Sequence, residues 1–315
     1  MPPIALTPVE QVEILSLMDN SLDTLMSDTP VAKRAKLGKD KYYRPHLRAE
    51  HGAAMLLTTV AGGRRDSFLF DVGVSPDGVL HNMDVLEVRG SELHAIVISH
   101  GHTDHTGGMS GIFARYGRRH LPVVLHPDAF LNRKQLWPDG HEVDLPPPRK
   151  RDLEEEGFEV IEERHPSYLL EGKALVTGQI ERTTEFEHGV PFQYADHSGE
   201  WLPDPWIHDD QAVVFSVAGK GLVVVTGCGH AGVINTVRHA QKVTGIDEVY
   251  AIVGGLHLTG RNFEPRIPAT LAELKRIDPK IIVPEHCTGW KMTVELAKEL
   301  PDAYLPNSVG TTLVL

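Results

Sequence analysis

The stretch VISHGHTDHTGG, residues 97–108, contains His100, His102, Asp104 and His105 within six positions. In an extended segment, residues two apart point to the same side, so His100 and His102 can bind one metal ion together. Asp104 and His105 follow where the chain must turn, so they can bind a second ion nearby. Imidazole nitrogens with a carboxylate oxygen suit Zn²⁺, and also Fe or Mn. The spacing predicts a centre for two divalent cations.

Four apolar segments with the pattern of β-strands each run into residues that can bind metal. Ligands of open α/β sheets lie outside the carboxyl ends of the strands. Rigid strand ends can also hold ligands within the narrow distances that a metal requires. We therefore expect the four ends to meet at one site, where the residues that follow the strands are His100, then Cys228 and His230, then His257, and lastly His286 and Cys287.

The elements that position these ends show strand-rich and alternating strand–helix sections. AAMLLTTV and DSFLFDVG are joined by a hairpin signal, as are QAVVFSV and KGLVVVTG. From residue 211 onward, strands alternate with segments that have helical apolar spacing, which indicates a layered α/β architecture with helices on the sheet faces. We expect one domain over residues 1–315, with loop insertions around 20–48 and 130–210 that set specificity.

Composition excludes several classes of function. The 315 residues are 41% hydrophobic and 23% charged, enough for a sizeable core, and no apolar run approaches a membrane span. A net charge of −12 argues against nucleic-acid or anionic-membrane partners. The N-terminus lacks a secretory pattern, and two cysteines do not make a disulfide framework, so a reducing cytoplasm is expected. Seven Lys or Arg residues between 30 and 48 form either a solvated loop or a lip that attracts anionic substrate.

SHGHTDHTGG resembles the signature of the metallo-β-lactamase superfamily, whose fold is a four-layer αββα sandwich with metal ions in the cleft between the two β layers. Further motifs resemble one branch, the 7,8-dihydropterin-6-yl-methyl-4-(β-D-ribofuranosyl)aminobenzene 5'-phosphate synthase-like group. They occur in order between Met18 and Trp290: MDN, AEHGAAMLL, LFDVG, HDDQAVVF, GCGHAGVINT, VGGLHL and PEHCTGW.

The resemblance implies a ligand set. His100, His102, Asp104 and His105 match the first metal motif, and His286 matches the last metal histidine. Many members have a bridging aspartate where this chain has Cys228. We favour His230 as the residue that completes the set. Cys228 is either a thiolate ligand or a small buried structural cysteine, and His208 could fill the remaining histidine position.

The resemblance also suggests catalytic and substrate-contacting residues. Asp104 would position and deprotonate water, and His257 would protonate the leaving group, act as a ligand or satisfy the sheet edge. Candidate substrate contacts are Glu50 and His51, with capping or packing as the alternative, and Glu181 and Arg182, with a surface salt bridge as the alternative. Thr288 could form an anion-binding nest with Cys287 and Gly289 beside His286. Asp71 is expected to orient a metal-binding histidine. His120, His126, His188 and His239 are expected to be ordinary surface residues.

The function expected first is that of a binuclear metallohydrolase. Two cations can hold a water as hydroxide near neutral pH, which suits a small ester, lactone or phosphoester, anionic ones included. A transferase that condenses a ribosyl phosphate donor with an aminobenzoate is the main alternative. A mononuclear iron dioxygenase and a non-catalytic metal or ligand sensor are further alternatives. The identity of the metal and the oligomeric state, including a homo-oligomer, stay open.

Overall fold

The computed structural model describes residues 3–36, 46–117 and 120–315. Much of the basic segment 30–48 therefore lies outside the described residues. One mixed sheet has eight strands in the order β2-β18-β1-β3-β4-β5-β6-β9. Its strands are β1 (Gln11–Met18), β2 (Ala32–Lys33), β3 (Ala54–Ala61), β4 (Arg64–Phe70), β5 (Leu93–Val97), β6 (Pro122–Leu125), β9 (Glu159–Glu162) and β18 (Thr312–Val314).

A second sheet has six strands in the order β10-β11-β14-β15-β16-β17. Strands β15, β16 and β17 are parallel to one another, so their carboxyl ends lie at one edge. Both predicted hairpins are confirmed, as the antiparallel pairs β3–β4 and β14–β15. The strands are β10 (Ser167–Leu169), β11 (Ala174–Val176), β14 (Ala212–Val217), β15 (Gly221–Thr226), β16 (Val249–Gly255) and β17 (Ile281–Glu285).

The main core lies between these two sheets. Phe68 on β4 and Phe215 on β14 are fully buried there, with their ring centroids 6.3 Å apart. Separate apolar clusters join the outer face of each sheet to helices. The predicted four-layer αββα sandwich is thus confirmed. The helices are α1 (Gly78–Val85), α2 (Thr103–Thr106), α3 (Met109–Tyr116) and α4 (Lys150–Glu155), followed by α5 (Val233–Thr244), α6 (Ile267–Ile277) and α7 (Trp290–Glu299).

The segment 130–210 is more than the loop insertion that was expected. It contains a third sheet of four strands in the order β13-β12-β7-β8, and strands β9 to β11 of the two large sheets. The strands of the third sheet are short and carry many charged residues, so their apolar pattern is weak. They are β7 (Arg133–Leu136), β8 (Glu142–Leu145), β12 (Gln193–His197) and β13 (Glu200–Pro203).

Within the described residues, no helix combines the length and apolar character needed to cross a bilayer.

Candidate metal centre

The residues that follow β5, β15, β16 and β17 come together at one edge of the sandwich. Strand β5 belongs to the eight-stranded sheet and the other three to the six-stranded sheet. The site therefore lies where the two β layers meet, and each layer contributes potential ligands. Nitrogen and oxygen atoms form two sets there, which we call cluster 1 and cluster 2, and Cys228, His257 and Cys287 form a further group.

Cluster 1 consists of His100, His102 and His230. His100 Nε2 lies 3.0 Å from His102 Nδ1, and His230 Nε2 lies 3.1 Å from each of these atoms. Burial lowers the pKa of all three imidazoles, that of His102 to about 4, so the rings are neutral at pH 7. Neutral imidazole is the form that binds metal.

Cluster 2 consists of Asp104, His105 and His286. His286 Nε2 lies 3.1 Å and His105 Nε2 lies 3.8 Å from Asp104 Oδ2. Burial alone would raise the pKa of Asp104, but His105 and His286 hold it well below its usual range. Asp104 is thus an ionised carboxylate over the whole neutral range. That state suits a metal ligand, whereas a carboxylate with so low a pKa is a weak proton acceptor.

Cys228 lies between the two clusters. Its Sγ is 3.2 Å from His105 Nε2 and falls within 4.8 Å of the nearest donor atoms of both clusters. Burial raises the pKa of this thiol well above its usual value. A cation at either cluster would reverse that preference, because a coordinating thiol is deprotonated. Cys228 therefore stands where the resemblance placed a bridging carboxylate.

The hydrogen bonds on the outer side of these rings agree with metal binding on the inner side. His105 Nδ1 donates to Asp71 Oδ2 at 2.7 Å, and His286 Nδ1 donates to Asn20 Oδ1 at 3.0 Å. His100 Nδ1 lies 2.9 Å from Ser99 Oγ, which itself donates to Asp71. These contacts give each Nδ1–H an acceptor, so the opposite nitrogen, Nε2, is the one that faces the cluster.

The spacing of cluster 1 fits a cation. Three ligands on a tetrahedral zinc ion with Zn–N bonds of about 2.0–2.1 Å would be roughly 3.3 Å apart. The observed nitrogen–nitrogen distances of 3.0–3.1 Å are close to that value. Histidine nitrogens with a carboxylate and a thiol are also a donor set for a borderline metal such as zinc. The residues present therefore fit a divalent cation.

Buried aspartates hold the backbone of the ligand loops. Asp71 accepts from the Ser99 amide at 2.7 Å, Asp209 from Gly101 at 2.8 Å, Asp210 from Ala231 at 2.7 Å and Asp19 from His286 at 2.7 Å. Each donating amide belongs to a candidate ligand or to a residue next to one in the sequence. The expected role of Asp71 toward a histidine is seen directly in its bond to His105. The other three aspartates act on backbone amides.

Backbone strain is also concentrated here. Asp71 has φ +61°, His257 +45° and His286 +48°, in the left-handed region that residues other than glycine rarely adopt. Such strain is maintained only where the surrounding structure enforces it, and it is typical of functional sites. The unusual backbone at His257 and His286 turns these residues into the site directly after β16 and β17.

His257 and His51 border the centre without belonging to either cluster. The ring centroid of His257 lies 4.2 Å from that of His230, and the ring is nearly perpendicular to that of Phe263. The side chain of His51 is 70% exposed, and its Nε2 lies 3.9 Å from Asp104 Oδ2. His51 is therefore an exposed imidazole beside the Asp104 carboxylate of cluster 2.

Two predicted substrate contacts, Glu50 and Thr288, have hydrogen-bond partners within the protein. Glu50 accepts from Ser75 Oγ at 2.7 Å and from the Ser75 amide at 3.3 Å, so it stabilises the turn before α1. Thr288 is buried, and its hydroxyl accepts from the Leu256 amide at 3.1 Å. For Glu50 this contact is of the capping kind that was the alternative, and the substrate roles of Glu50 and Thr288 stay predictions.

Three further candidates lie apart from the clusters. Glu181 is exposed and pairs with Lys242 at 2.5 Å, which was the surface alternative. Arg182 donates to the carbonyl oxygens of Ile180, Trp206 and Ile207, so its guanidinium holds a loop. His208 contacts Gln179 and is in none of the donor groups found among the described residues.

The structure also corrects the expectation for His126 and adds residues that sequence reasoning missed. His126 is fully buried and accepts from the Asp128 amide, so its assignment as a surface residue was wrong. Arg133, Gln193 and Asn20 contact the centre or its supporting residues. Asn20 follows β1 within the MDN motif, a signal that was available, whereas Arg133 and Gln193 lie on the third sheet and carry no local signal.

Comparisons with known proteins agree with this geometry. A profile of the metallo-beta-lactamase superfamily matches residues 51–286. The 7,8-dihydropterin-6-methyl-4-(beta-D-ribofuranosyl)-aminobenzene-5'-phosphate synthase of Methanocaldococcus jannaschii is 31% identical over 257 residues, which cover 79% of this chain and 84% of that protein. An uncharacterized protein of the same organism is 28% identical over 254 residues, which cover 79% of this chain and 88% of the relative.

Solved structures show the same fold. A metal-dependent hydrolase of the beta-lactamase superfamily superposes with a TM-score of 0.73 at 22% identity, covering 96% of this chain and 98% of that one. A diphosphatase from the PhnP family superposes with a TM-score of 0.50 at 13% identity, with 97% of both chains covered. The superpositions show the shared fold, and the profile match with the 31% identical relative shows that the chain belongs to the metallo-beta-lactamase superfamily, in the branch that resembles the dihydropterin–ribofuranosylaminobenzene phosphate synthase.

Proposed function

We propose that this protein is a metal-dependent hydrolase that holds two divalent cations, most simply Zn²⁺, and acts on a small ester, lactone or phosphoester. The observation that carries the proposal is the pair of adjacent donor clusters. His100, His102 and His230 would hold one cation, and Asp104, His105 and His286 the other, with the Cys228 thiolate available to both.

Bound divalent cations lower the pKa of water to about 7 and polarise a carbonyl or phosphoryl oxygen. The protein residues supply orientation and charge. Asp104 stays ionised and contributes negative charge to cluster 2. Asp71 holds His105 and, through Ser99, His100, so the two clusters keep a common geometry.

We assign the remaining imidazoles to substrate. His51 is exposed next to Asp104 and can donate a hydrogen bond to an anionic oxygen of the substrate. His257 lies on the opposite side, against His230, with a buried Nδ1 that has no hydrogen-bond partner among the described residues. A proton on His257 can pass to a leaving-group oxygen bound there.

One observation favours a second candidate function. The 31% identical relative is named as a synthase, and this chain covers 84% of its length. A transferase that joins a ribosyl phosphate donor to an aminobenzoate would use the same clusters to bind the donor phosphate. We favour hydrolysis because water can act as the nucleophile without a second substrate-binding site, which the transferase would need.

The test combines metal content with turnover. Protein purified without chelators or a histidine tag should contain about two zinc or manganese ions per chain. It should hydrolyse at least one member of a panel of nitrophenyl esters, lactones and phosphodiesters. Asp104→Ala should lose about one ion per chain and the hydrolysis. Condensation of a ribosyl phosphate donor with an aminobenzoate, without hydrolysis, would instead establish the second candidate. One iron per chain would redirect the assay to oxygen chemistry.

A further inference from the structure

His102 differs from the other cluster histidines in the nitrogen that it turns inward. His100, His105, His230 and His286 present Nε2, whereas His102 presents Nδ1 to His100 and His230. The outward nitrogen of His102 is therefore Nε2. It lies 3.0 Å from the side-chain amide of Gln193.

Gln193 has the properties of a residue held in place for this contact. It is 1% exposed, and its backbone carbonyl accepts from the Asp204 amide at 2.8 Å. Its Nε2 is directed at His102, while its Oε1 is buried and has no hydrogen-bond partner among the described residues. An unpartnered buried amide oxygen is costly, so its presence beside a candidate ligand calls for an explanation.

Two hydrogen-bond arrangements are available to this pair. While His102 Nε2 is unprotonated it accepts from the Gln193 NH₂ group, and the Nδ1–H of His102 can donate to His100 or His230. When Nδ1 must offer its lone pair to a cation, the proton lies on Nε2 and would face the NH₂ group, which also donates. A half-turn of the amide exchanges its two ends and brings Oε1 to accept from Nε2–H.

We propose that Gln193 is a positioning residue that selects the Nε2–H tautomer of His102, and that its amide reverses when cluster 1 binds a cation. The inference rests on the cation-binding part of the proposed function. It gives the unpartnered Oε1 a role and explains why a glutamine, which can both donate and accept, stands at this position.

The third sheet is the element that brings Gln193 to the loop. Gln193 begins β12, next to β7, which carries Arg133. Arg133 donates to both carboxylate oxygens of Asp209, at 2.6 and 3.2 Å, and Asp209 holds the Gly101 amide. The third sheet thus contacts residues 100–102 in two ways. Arg133 holds Asp209, which binds the Gly101 amide, and Gln193 contacts the imidazole of His102.

The test compares Gln193→Leu, which cannot accept or donate, with Gln193→Glu, which can only accept. Gln135→Leu is the matched control, because Gln135 is the partner of Gln193 on β7. Zinc affinity, measured by competition with a chromophoric chelator, should fall about 10- to 100-fold in Gln193→Leu. It should stay at the wild-type value or above in Gln193→Glu and be unchanged in Gln135→Leu. The ¹⁵N spectrum of labelled histidine should show the His102 proton on Nε2 in the zinc-bound wild type.

Equal zinc affinity in Gln193→Leu and Gln135→Leu would overturn the positioning role, as would a loss in Gln193→Glu as large as that in Gln193→Leu. If Gln193→Leu does not fold, the affinity of Gln193→Glu and the tautomer decide, and a zinc-bound His102 protonated on Nδ1 overturns the proposal. A wild-type protein that binds no cation overturns the proposed function itself. If the wild type binds zinc and Gln193→Leu has the same zinc affinity, only the proposed role of Gln193 is overturned.

Discussion

Asp71 and His105 form a buried hydrogen bond, with 2.7 Å between Oδ2 and Nδ1. Neither side chain is more than 1% exposed. Burial alone would lower the pKa of His105, but Asp71 and Asp104 raise it to about 9. The same carboxylate accepts from the Ser99 amide and hydroxyl, so one residue orients ligands of both clusters.

Asp71→Asn should weaken metal binding at cluster 2. Asparagine tolerates the positive φ of this position, so the backbone is preserved. The NH₂ group of asparagine, however, cannot accept a hydrogen bond. Depending on how the amide is turned, the substitution therefore removes the acceptor for His105 Nδ1–H or an acceptor for Ser99. We expect about a tenfold or greater loss of affinity for one of two cations, measured by titration calorimetry. Asp278→Asn, also at positive φ but exposed at the end of α6, is the control. Full retention of both cations by Asp71→Asn would contradict the orienting role.

Cobalt substitution can identify the sulfur ligand. Cys228 Sγ lies close to donor atoms of both clusters, whereas Cys287 Sγ is grouped only with His257 and Cys228. The Co²⁺ form of the wild type should therefore show a thiolate-to-cobalt charge-transfer band in the near ultraviolet. Cys228→Ser should lose the band, and Cys287→Ser, the matched control, should retain it. The opposite result would assign the ligand to Cys287.

Arg133→Met should destabilise the fold as well as the ligand loop. Arg133 is buried and bonds to Asp204 at 2.8 Å and to Asp209, so its removal leaves uncompensated carboxylates. We expect the free energy of unfolding to fall by about 3–5 kcal/mol, measured by urea denaturation. The matched variant Arg115→Met breaks an exposed pair with Asp84 and should cost at most about 1 kcal/mol. Similar losses in the two variants would mean that burial of the Arg133 pair is unimportant.

Stability below neutral pH should depend on Asp66, which is distant in sequence from the ligands. Burial alone would raise its pKa, but hydrogen bonds from Lys173 and Arg64, each 2.8 Å long, lower it below the usual 3.8. A depressed carboxyl pKa in the folded state stabilises the protein above the unfolded pKa and loses that effect as the pH falls toward the folded pKa.

Asp66→Asn should therefore reduce the free energy of unfolding at neutral pH, and the difference from wild type should shrink below about pH 4. Urea denaturation at a series of pH values measures this difference. The exposed carboxyl of Asp77, which pairs with Arg48, provides the control, since Asp77→Asn should change stability little at any pH. If the difference in free energy of unfolding between Asp66→Asn and wild type grows as the pH falls, the pKa of Asp66 is not lowered in the folded state.

Much of the fold was predictable because its signals are local. Apolar runs marked β5, β15, β16 and β17, and the residues that follow them carried the metal-binding types. The hairpins β3–β4 and β14–β15 followed from alternation and short turns. The third sheet was missed because its strands have a weak apolar pattern and pair across long stretches of chain, as between β7 and β12.

By itself the sequence determined which residue types end the central strands, and hence the metal-binding donor types and a layered α/β architecture, while the αββα class followed from the family resemblance. Periodicity and spacing encode these features within a few neighbouring residues. The tertiary structure alone decided which side chains share a cluster and which nitrogen of each ring faces inward. It also decided that Glu50 and Thr288 serve structural contacts, and that Gln193 reaches His102 across 91 positions. These outcomes depend on how two sheets and an inserted third pack together, and contacts between distant segments leave no mark on the local pattern of either one.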